Sequence, residues 1–518
     1  MPWACAPLFH DTEVKRGEYN MMLDTLLEAA SYLLSMEVWL VLIIGCVIGV
    51  VFGALPGLSG VTAMALVLPF TYGWDPMIAF FLFAGILGAT SFGASIPAIL
   101  INTPGTAPNA ATCLDGYPMA QRGEGGRALG ISATASALGA IFGIVILVVL
   151  IPLVIPFVLA FRAPEFLMMI LLGLTCVSFA ARGNMIKGLV AGAVGILLSL
   201  VGWSNVFGEL RFNFGSLYLW DGIQTVPFVI GFFALSEMLR LSIRGGVIQE
   251  KISGKLSGTL EGVKDVFRHP VTFLRGSAIG TVVGIIPGVG GTVANFLAYI
   301  AEVQASKHPE TFGTGEVRGV IAPEAANDSK DGGALLPTIA FGIPGSAVMI
   351  MLLGAFVLHG LHIGPLFLET NLDIVWALIF GLVISNILVS ALGVAAGKYM
   401  AWITTINVAY LIPVIVSICF AGAFFLRGNI VDVVISVFAG FLGYGLQRFG
   451  FSRVCCVIGF VLGHLAESSF TQSLQISYGS YSIFFTRPIS LVLFILFILI
   501  LLLPLFNKLR AKGRSKAQ

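Results

Sequence analysis

The chain has 518 residues, of which 57% are hydrophobic and 10% are charged, and its mean hydropathy is +0.98. This composition excludes an ordinary soluble domain, in which roughly half of the residues are apolar and about a quarter are charged. A net charge of +2 with six histidines gives no basic surface for nucleic acid, so nucleic-acid binding is excluded too. A lipid bilayer is therefore the expected solvent for most of the chain.

Apolar runs long enough to cross a bilayer, about 17 to 25 residues each, recur along the sequence, for example at 39–55, 137–160, 374–397 and 488–506. Glycines and prolines sit inside these runs, which a membrane helix tolerates only where protein or enclosed water satisfies the freed backbone groups. We predict an all-α polytopic membrane protein with broken helices or re-entrant segments. The seven cysteines show no C-x-x-C pairing, so the sequence predicts no disulfide or thiolate metal site.

Two glycine-rich blocks mark the first part of the chain. Residues 45–60 read GCVIGVVFGALPGLSG and residues 93–106 read GASIPAILINTPGT. Glycines four residues apart share one helix face and allow close helix packing. Proline lacks a backbone N–H and glycine admits positive φ, so each Pro-Gly step should stop a helix inside the membrane.

The same blocks return in the second part. Residues 276–291 read GSAIGTVVGIIPGVGG, which superimpose on 45–60 after a shift of 231, and residues 333–346 read GALLPTIAFGIPGS, which superimpose on 93–106 after a shift of 240. A weaker echo pairs Arg-Gly-Asn at 182–184 with the same residues at 427–429, at a shift of 245. The chain is therefore predicted to contain two related halves.

Charge placement indicates how the halves face. The segment from 240 to 275 carries seven Lys or Arg residues, and the tail after 507 is basic, so both should be cytoplasmic by the positive-inside rule. Arg122 and Arg127 follow the second block of the first half, whereas 359–371 after its counterpart hold no Lys or Arg. We therefore predict two inverted-topology repeats and an extra C-terminal helix, as in many secondary transporters.

The predicted organisation has five parts. They are an N-terminal extension (1–21), a first membrane repeat (22–240), a cytoplasmic inter-repeat loop (241–275), a second membrane repeat (276–487), and a final helix with a basic tail (488–518).

The helix breaks are the candidate transport site. Unwound backbone at the bilayer midplane offers carbonyl groups to a cation, and half-helix N-termini attract an anion. A possible sodium site falls at these breaks. The predicted substrate- or cation-binding residues are Pro56, Gly57, Ser59, Asn102, Thr103, Pro104, Gly105, Thr106, Pro287, Gly288, Thr292, Asn295, Pro344, Gly345 and Ser346. Valine at Gly105 or Gly345 is expected to impair transport without preventing folding.

The most polar stretch near the membrane is APEAANDSKDGG at 322–333, which comes directly before the last Pro-Gly block. Such a cluster of charges is costly if it is buried in the membrane. It is either a solvated loop or part of the transport cavity. In the second case, Asn327 and Asp328 are candidate ligands for the substrate or the cation.

Enzymatic activity is not predicted. No G-x-x-x-x-G-K-[ST] phosphate loop occurs, so direct use of ATP is not expected. The string Gly57-Leu58-Ser59-Gly60 could suit an intramembrane serine protease, but its counterpart at 288–291 has glycine in place of the serine. The shared feature of the two halves is thus a backbone shape and not a nucleophile.

Four strings resemble the large membrane subunit of tripartite tricarboxylate transporters, the TctA type. They are GALPGLSGVTAMALVLPFTY, GASIPAILINTPGT, PEAANDSKDGGALLPTIAFGIPGSAVMIMLLGAF and IGFVLGHLAESSFTQSLQIS. The resemblance extends from about Met22 to the final helix. Members of that family often read Asn-Asn-Ala after the Pro-Glu step, where this chain reads Asn327-Asp328-Ser329.

The resemblance implies a multi-pass symporter of the bacterial cytoplasmic (inner) membrane, driven by sodium or protons and needing no other cofactor. Its implied partners are a small TctB-like membrane subunit and a periplasmic TctC-like solute-binding protein that delivers a di- or tricarboxylate. The alternative from another class is an ion or solute channel, with the intramembrane protease third.

Overall fold

The computed structural model describes residues 24–55, 57–180, 185–204, 207–244, 257–361, 364, 367–400 and 408–515. In the first part of the chain the α-helices are α1 (24–32), α2 (Met36–Ala54), α3 (Gly60–Val67), α4 (Pro76–Ile101), α5 (Ala110–Gln121), α6 (Gly125–Leu159), α7 (Ala163–Ala180), α8 (Met185–Ser199), α9 (Thr225–Val229) and α10 (Ser236–Arg244). A π-helical turn, Ile230–Leu235, joins α9 to α10. A short hairpin of β1 (Gly202–Ser204) and β2 (Glu209–Arg211) follows α8, in antiparallel register with Trp203 opposite Leu210.

The second part contains α11 (Thr259–Arg268), α12 (Pro270–Ile285), α13 (Gly290–Ala305), α14 (Arg318–Phe341), α15 (Ala347–Leu358), α16 (Phe367–Thr370), α17 (Leu372–Met400), α18 (Val408–Phe425), α19 (Ile430–Arg448), α20 (Arg453–Ile476), α21 (Ile483–Thr486) and α22 (Pro488–Ser515). Short 3-10 helices lie at Leu68–Thr71, Ala107–Asn109, Tyr218–Asp221 and Pro309–Thr311.

Seven helical segments of the described chain are long and apolar enough to cross a membrane: Met36–Ala54, Pro76–Ile101, Gly125–Leu159, Thr225–Ile243, Leu372–Ala395, Ile430–Arg448 and Arg453–Ile476. Shorter apolar helices lie between them and include α8, α12 and most of α7. Large apolar side chains stay exposed along these helices, for example Leu153 at 67% and Phe441 at 62%, where lipid would cover them. The all-α polytopic fold predicted from the sequence is confirmed.

Constant offsets relate the helices of the two halves. Adding 231 to the last residue of α2 gives the last residue of α12, and adding 240 to the last residue of α4 gives the last residue of α14. Adding 245 to both ends of α7 gives both ends of α18, and adding it to the start of α8 gives the start of α19. The correspondence found in the motifs therefore extends to whole helices.

The glycine series packs as the sequence predicts. A Cβ on Gly45, Gly49 or Gly53 of α2 would lie 2.5–2.6 Å from a carbonyl oxygen of α4. A Cβ on any of the equivalent glycines of α12 would lie 2.3–2.5 Å from a carbonyl oxygen of α14, and the carbonyl residues of the two sets differ in number by 240. Both helix pairs are thus in backbone contact, which only glycine allows.

Each half also packs into the other. Helix α6 lies against α14, and α17 lies against α4. Helix α8 lies against α20, and α19 lies against the segment from α9 to α10. Lys187 in the first turn of α8 donates to the carbonyl of Phe449, directly after the last turn of α19. The start of α8 therefore meets the end of its counterpart, as expected for helices that cross in opposite directions.

The segment between the halves is only partly described, because 245–256 lie outside the described residues. Its described part contains α11, and α12 begins at Pro270, six residues before the predicted start of the second repeat. Asp265 of α11 forms a 2.6 Å ion pair with Arg127 of α6. Residues 1–21 and 182–184, on which sequence predictions also rest, lie outside the described residues.

Candidate functional site

All four predicted helix breaks are present. Gly57 and Gly288, which are 231 apart, have φ values of +91° and +74° in the gaps after α2 and α12. Asn102 and Gly342, which are 240 apart, cap α4 and α14 with φ values of +52° and +69°. Glycine favours this left-handed conformation because it has no Cβ to clash with the carbonyl, and asparagine tolerates it. Pro56 lies outside the described residues.

A cavity of about 400 Å³ lies where the breaks of the two halves meet. Nine pairs of its lining residues are related by the same constant offsets, one member coming from each half. The pairs are Ser59 and Gly290, Gly60 and Gly291, Val61 and Thr292, Leu87 and Asn327, Thr90 and Lys330, Ser91 and Asp331, Thr106 and Ser346, Ala107 and Ala347, and Pro108 and Val348. The cavity is therefore built about a pseudo-twofold relation between the halves.

Four helices begin at this cavity. Ser59 precedes α3, Thr106 precedes the 3-10 turn that leads into α5, and Gly290 is the first residue of α13. Ser346 precedes α15, and its hydroxyl accepts from the N–H of Met349 at 3.5 Å. Helix N-termini carry a partial positive charge and unpaired N–H groups, so they favour an anion in front of them.

One ion pair lies in the cavity wall. Lys330 and Asp331 of α14 are both more than 90% buried, and their Nζ and Oδ1 atoms are 3.0 Å apart. Lys330 also donates to the carbonyl oxygen of Asn327, which lines the same cavity. In the first half the equivalent positions are the neutral Thr90 and Ser91. The second half therefore supplies the charged groups of the cavity.

Behind the cavity lies a fully buried acid, Glu324 of α14. Its carboxylate accepts hydrogen bonds from hydroxyl groups on three other helices. The donors are Ser95 of α4 at 2.8 and 2.9 Å, Thr112 of α5 in a short contact, and Ser132 and Ser136 of α6 at 2.8 and 3.1 Å.

These bonds reach the cavity. Asn109 donates to Ser95 Oγ at 2.7 Å and accepts from the cavity-lining Thr106. The described hydrogen bonds thus run without interruption from the cavity wall to Glu324.

The other predicted residues are not all at the cavity. Gly288 and Thr292 line it, whereas Asn295 is buried beside it and donates to the carbonyl of Pro108 at 3.1 Å. Asn102 is exposed, Thr103, Pro104 and Pro287 are half-buried, Pro344 is buried, and none of these five lines the cavity. Asp328 is 1% exposed and lies in the helix that forms the wall.

Gly105 and Gly345 are packing positions. A Cβ on Gly105 would lie 2.0 Å from the carbonyl oxygen of Gly53, and one on Gly345 would lie 2.7 Å from the Cβ of Ala334. The structure indicates that valine at either position would disturb folding, against the expectation drawn from the sequence. Side chains that line the cavity are the better test of transport.

A second cavity of about 300 Å³ adjoins the first and shares Ser59, Thr106 and Ala347 with it. Gly57 and a charged cluster line it. In this cluster Glu237 pairs with Arg240 and with Arg453, the latter at 3.3 Å. The adjoining space therefore has two cations and one anion in its wall.

Sequence reasoning missed Glu324, Lys330 and Asp331 as site residues. The alternative that 322–333 form a solvated loop is wrong, because every residue of this stretch is buried and helical. The signal in the sequence is the cluster of charges at 322–333 directly before the Pro-Gly block, of which only Asn327 and Asp328 are predicted as candidate ligands. Among the described residues, no group of three or more His, Cys, Asp or Glu side chains could hold a metal ion.

Comparison with known proteins identifies the family to which the chain is similar. The profile of the tripartite tricarboxylate transporter TctA family matches residues 39–458. The chain belongs to this family. The match covers both halves and ends within α20, so α22 lies beyond it. As a TctA-family chain with seven apolar spans in its described part, the protein is a multi-pass membrane transport protein, the large subunit of a tripartite system.

Two relatives come from Agrobacterium vitis. An uncharacterized 52.8 kDa protein in the TAR-I ttuC′ 3′ region is 32% identical over 469 residues, which are 90% of this chain and 93% of the relative. An uncharacterized protein in the TAR-II ttuC′ 3′ region is 33% identical over 233 residues, which are 45% of this chain and 96% of that relative. No solved structure matches the chain.

Proposed function

We propose that this TctA-family chain is the substrate-translocating subunit of a secondary carrier in a bacterial inner membrane. It imports a di- or tricarboxylate by cation symport, together with a small TctB-like membrane subunit and a periplasmic TctC-like binding protein. The observation that carries the proposal is the cavity, in which four helix N-termini and Lys330 meet at the junction of the two halves.

The electrostatics of the cavity favour an anion. Each helix N-terminus contributes a partial charge of about +0.5. The charge of Lys330 is balanced by Asp331, but its ammonium group presents an N–H donor to the cavity. A carboxylate that enters can accept hydrogen bonds from Lys330 and from the hydroxyl of Ser346, whose oxygen accepts from Met349 and whose hydrogen faces no other acceptor among the described bonds. Hydrogen bonds between charged groups are about twice as strong as neutral ones, so a buried site of this kind can recognise a carboxylate at the midplane.

The arrangement supports a carrier over an ion or solute channel. The cavity is bounded by tightly packed helices on both sides, with α2 against α4 and α12 against α14. It also adjoins a second space whose wall contains Arg240 and Arg453, so an anion leaving the first cavity would meet further positive charge. Two linked sites between interlocked repeats suit alternating access.

Ser59 is a substrate-facing residue in this proposal and not a nucleophile. Its hydroxyl lies 3.4 Å from that of Thr62. In the described part of the chain, no histidine lines either cavity to act as its base.

The test is uptake by the assembled complex. The binding protein is first screened against a carboxylate panel, because a bound ligand raises its unfolding temperature by mass action. The complex is then placed in lipid vesicles with that binding protein, and uptake of the labelled carboxylate is followed under sodium or proton gradients. We expect accumulation under a gradient and none without one. Accumulation that requires ATP with both gradients collapsed would contradict a secondary carrier.

A further inference from the structure

We infer that Asp328 binds the coupling proton of the transport cycle, which makes the carrier a proton symporter. This inference rests on the proposed carrier function and adds to it the identity of the ion and of the group that holds it. It stands on the surroundings of Asp328 within the bundle and on its position between Glu324 and the cavity.

The Asp328 side chain is buried, and the hydroxyl of Ser136 close to it donates to Glu324 instead. The residue is 1% exposed, and neither carboxylate oxygen makes a hydrogen bond to any part of the chain that the structure describes. An ionised carboxylate in such a place is costly, because no hydrogen bond replaces the water it has lost and the nearby Lys330 ammonium is already paired with Asp331. Asp328 therefore needs a bound cation or a proton.

Glu324, one helical turn away on α14, shows the contrast. Its carboxylate accepts from four hydroxyl groups and is just as deeply buried. Hydrogen bonds to the charged form stabilise it, so Glu324 can remain an anion. The surroundings of the two acids therefore differ: Glu324 can stay charged, whereas Asp328 must be neutralised.

A proton fits Asp328 better than a metal ion does. Hard cations gather several oxygen ligands at once, whereas a proton needs a single carboxylate oxygen. Ser136 is the hydroxyl group close to Asp328, and it donates to Glu324 at 3.1 Å. When the proton binds one oxygen of Asp328, the product is a neutral carboxyl group and no charge remains buried there.

The charged groups that act on Asp328 are Glu324, Lys330 and Asp331, all on its own helix. The helices packed against α14 add none in contact with it. Helix α4 has no ionisable residue, Arg127 of α6 is paired with Asp265, and Arg275 of α12 is paired with Glu302. On α5, Asp115 accepts from Tyr299 of α13.

The position on α14 links the proton to the substrate. Asp331, which lines the cavity, is three residues from Asp328, so the two side chains share a helix face about 5–6 Å apart at Cβ. An anion in the cavity repels a negative charge on Asp328 and so favours its protonation. By linkage, protonation of Asp328 favours anion binding to the same extent. Proton and carboxylate would therefore bind and leave together.

Infrared spectroscopy of the purified complex tests the state of Asp328 without transport. At neutral pH we expect a carboxylic-acid C=O band in the wild type that is lost in Asp328→Asn. The control is Asp265→Asn, which removes a carboxylate already paired with Arg127 and should keep the band. A wild-type spectrum without the band, or a band retained in Asp328→Asn, would overturn the inference.

A transport assay in lipid vesicles is the second test, with labelled citrate and succinate as probes. We expect Asp328→Asn to exchange the probe across the membrane but to lose its accumulation under a proton gradient. Sodium should not replace that gradient in the wild type, and Asp265→Asn should still accumulate the probe. If the wild type takes up neither probe, the proposed function fails as well. If Asp328→Asn still accumulates the probe, or if only sodium drives the wild type, this inference alone fails.

Discussion

At the scale of single residues, Lys330 and Asp331 combine two roles. They neutralise each other in a buried wall, and they present the one ammonium group of the described cavity lining. A buried pair is weak evidence of stabilisation, but removal of one member leaves the other charge uncompensated. The two roles can be separated by mutation.

We predict that Lys330→Met destabilises the protein by about 3–5 kcal/mol, because Asp331 is left buried without its partner. The double variant Lys330→Met/Asp331→Asn should recover most of the thermal stability and membrane abundance, since no buried charge remains unpaired. It should still fail to take up carboxylate. Thermal unfolding and vesicle uptake measure the two effects, and a double variant that transports at the wild-type rate would remove Lys330 from the substrate site.

A second prediction distinguishes residues at the cavity from those near it. Thr106→Cys and Ser346→Cys should react with a small thiol reagent, and the transported carboxylate should slow both reactions because it fills the cavity. Asn102→Cys is the matched control, since Asn102 is exposed and lies outside the cavity lining. It should react at the same rate with and without substrate. Equal protection at all three positions would indicate a global change instead of a local site.

At the scale of helices, the glycines fix the distance between α2 and α4 and between α12 and α14. Gly49 and Gly280 are equivalent residues, 231 apart. A Cβ would lie 2.6 Å from the carbonyl of Ile86 in the first case and 2.5 Å from that of Ala326 in the second. Backbone atoms on both sides leave little room for relaxation.

We therefore predict that Gly49→Ala and Gly280→Ala each lower stability by about 1–3 kcal/mol through overpacking. Gly445→Ala in α19 is the matched control, because a Cβ there has no neighbour within 4 Å and alanine is the better helix former. Thermal unfolding of the detergent-purified variants compares the three. A loss at Gly445 equal to that at Gly49 would show that close packing is not the cause.

At the scale of the whole molecule, α20 relates the two faces of the membrane. Arg453 at its start pairs with Glu237 of α10, and Glu467 pairs with Arg211 of the β-hairpin at 2.7 Å. The two pairs are 14 residues apart on α20 (467 minus 453), which is about 21 Å of helix. The start of α10 and the β-hairpin therefore lie toward opposite ends of α20.

This geometry predicts the result of a labelling experiment. Ser257→Cys lies in the basic inter-repeat segment, and Tyr478→Cys follows α20 at the end nearer Glu467, where Tyr478 is fully exposed. In intact cells an impermeant thiol reagent should label Tyr478→Cys and spare Ser257→Cys, by the positive-inside rule. Inside-out vesicles should give the opposite pattern. Labelling of Ser257→Cys in intact cells would refute the predicted orientation.

The sequence by itself determined the class of the protein, the correspondence of its two halves and the positions of the helix breaks. These follow from local physics: apolar length selects the bilayer, glycine spacing selects close helix packing, and a Pro-Gly step cannot continue a helix. Because the two halves repeat the same motifs, a prediction made for one half applies to the other, and the helix breaks at Gly57 and Gly288 could be predicted together.

Only the tertiary structure decided where the polar groups lie. Glu324 is stable in the bundle because its hydroxyl partners come from α4, α5 and α6, and Ser95 is 229 residues away in the chain. No local pattern reveals whether a polar segment such as 322–333 will find such partners or remain in water. The free energy of burying a charge depends on groups that folding alone brings together, and for this reason the charged wall of the cavity had to be read from the packed helices.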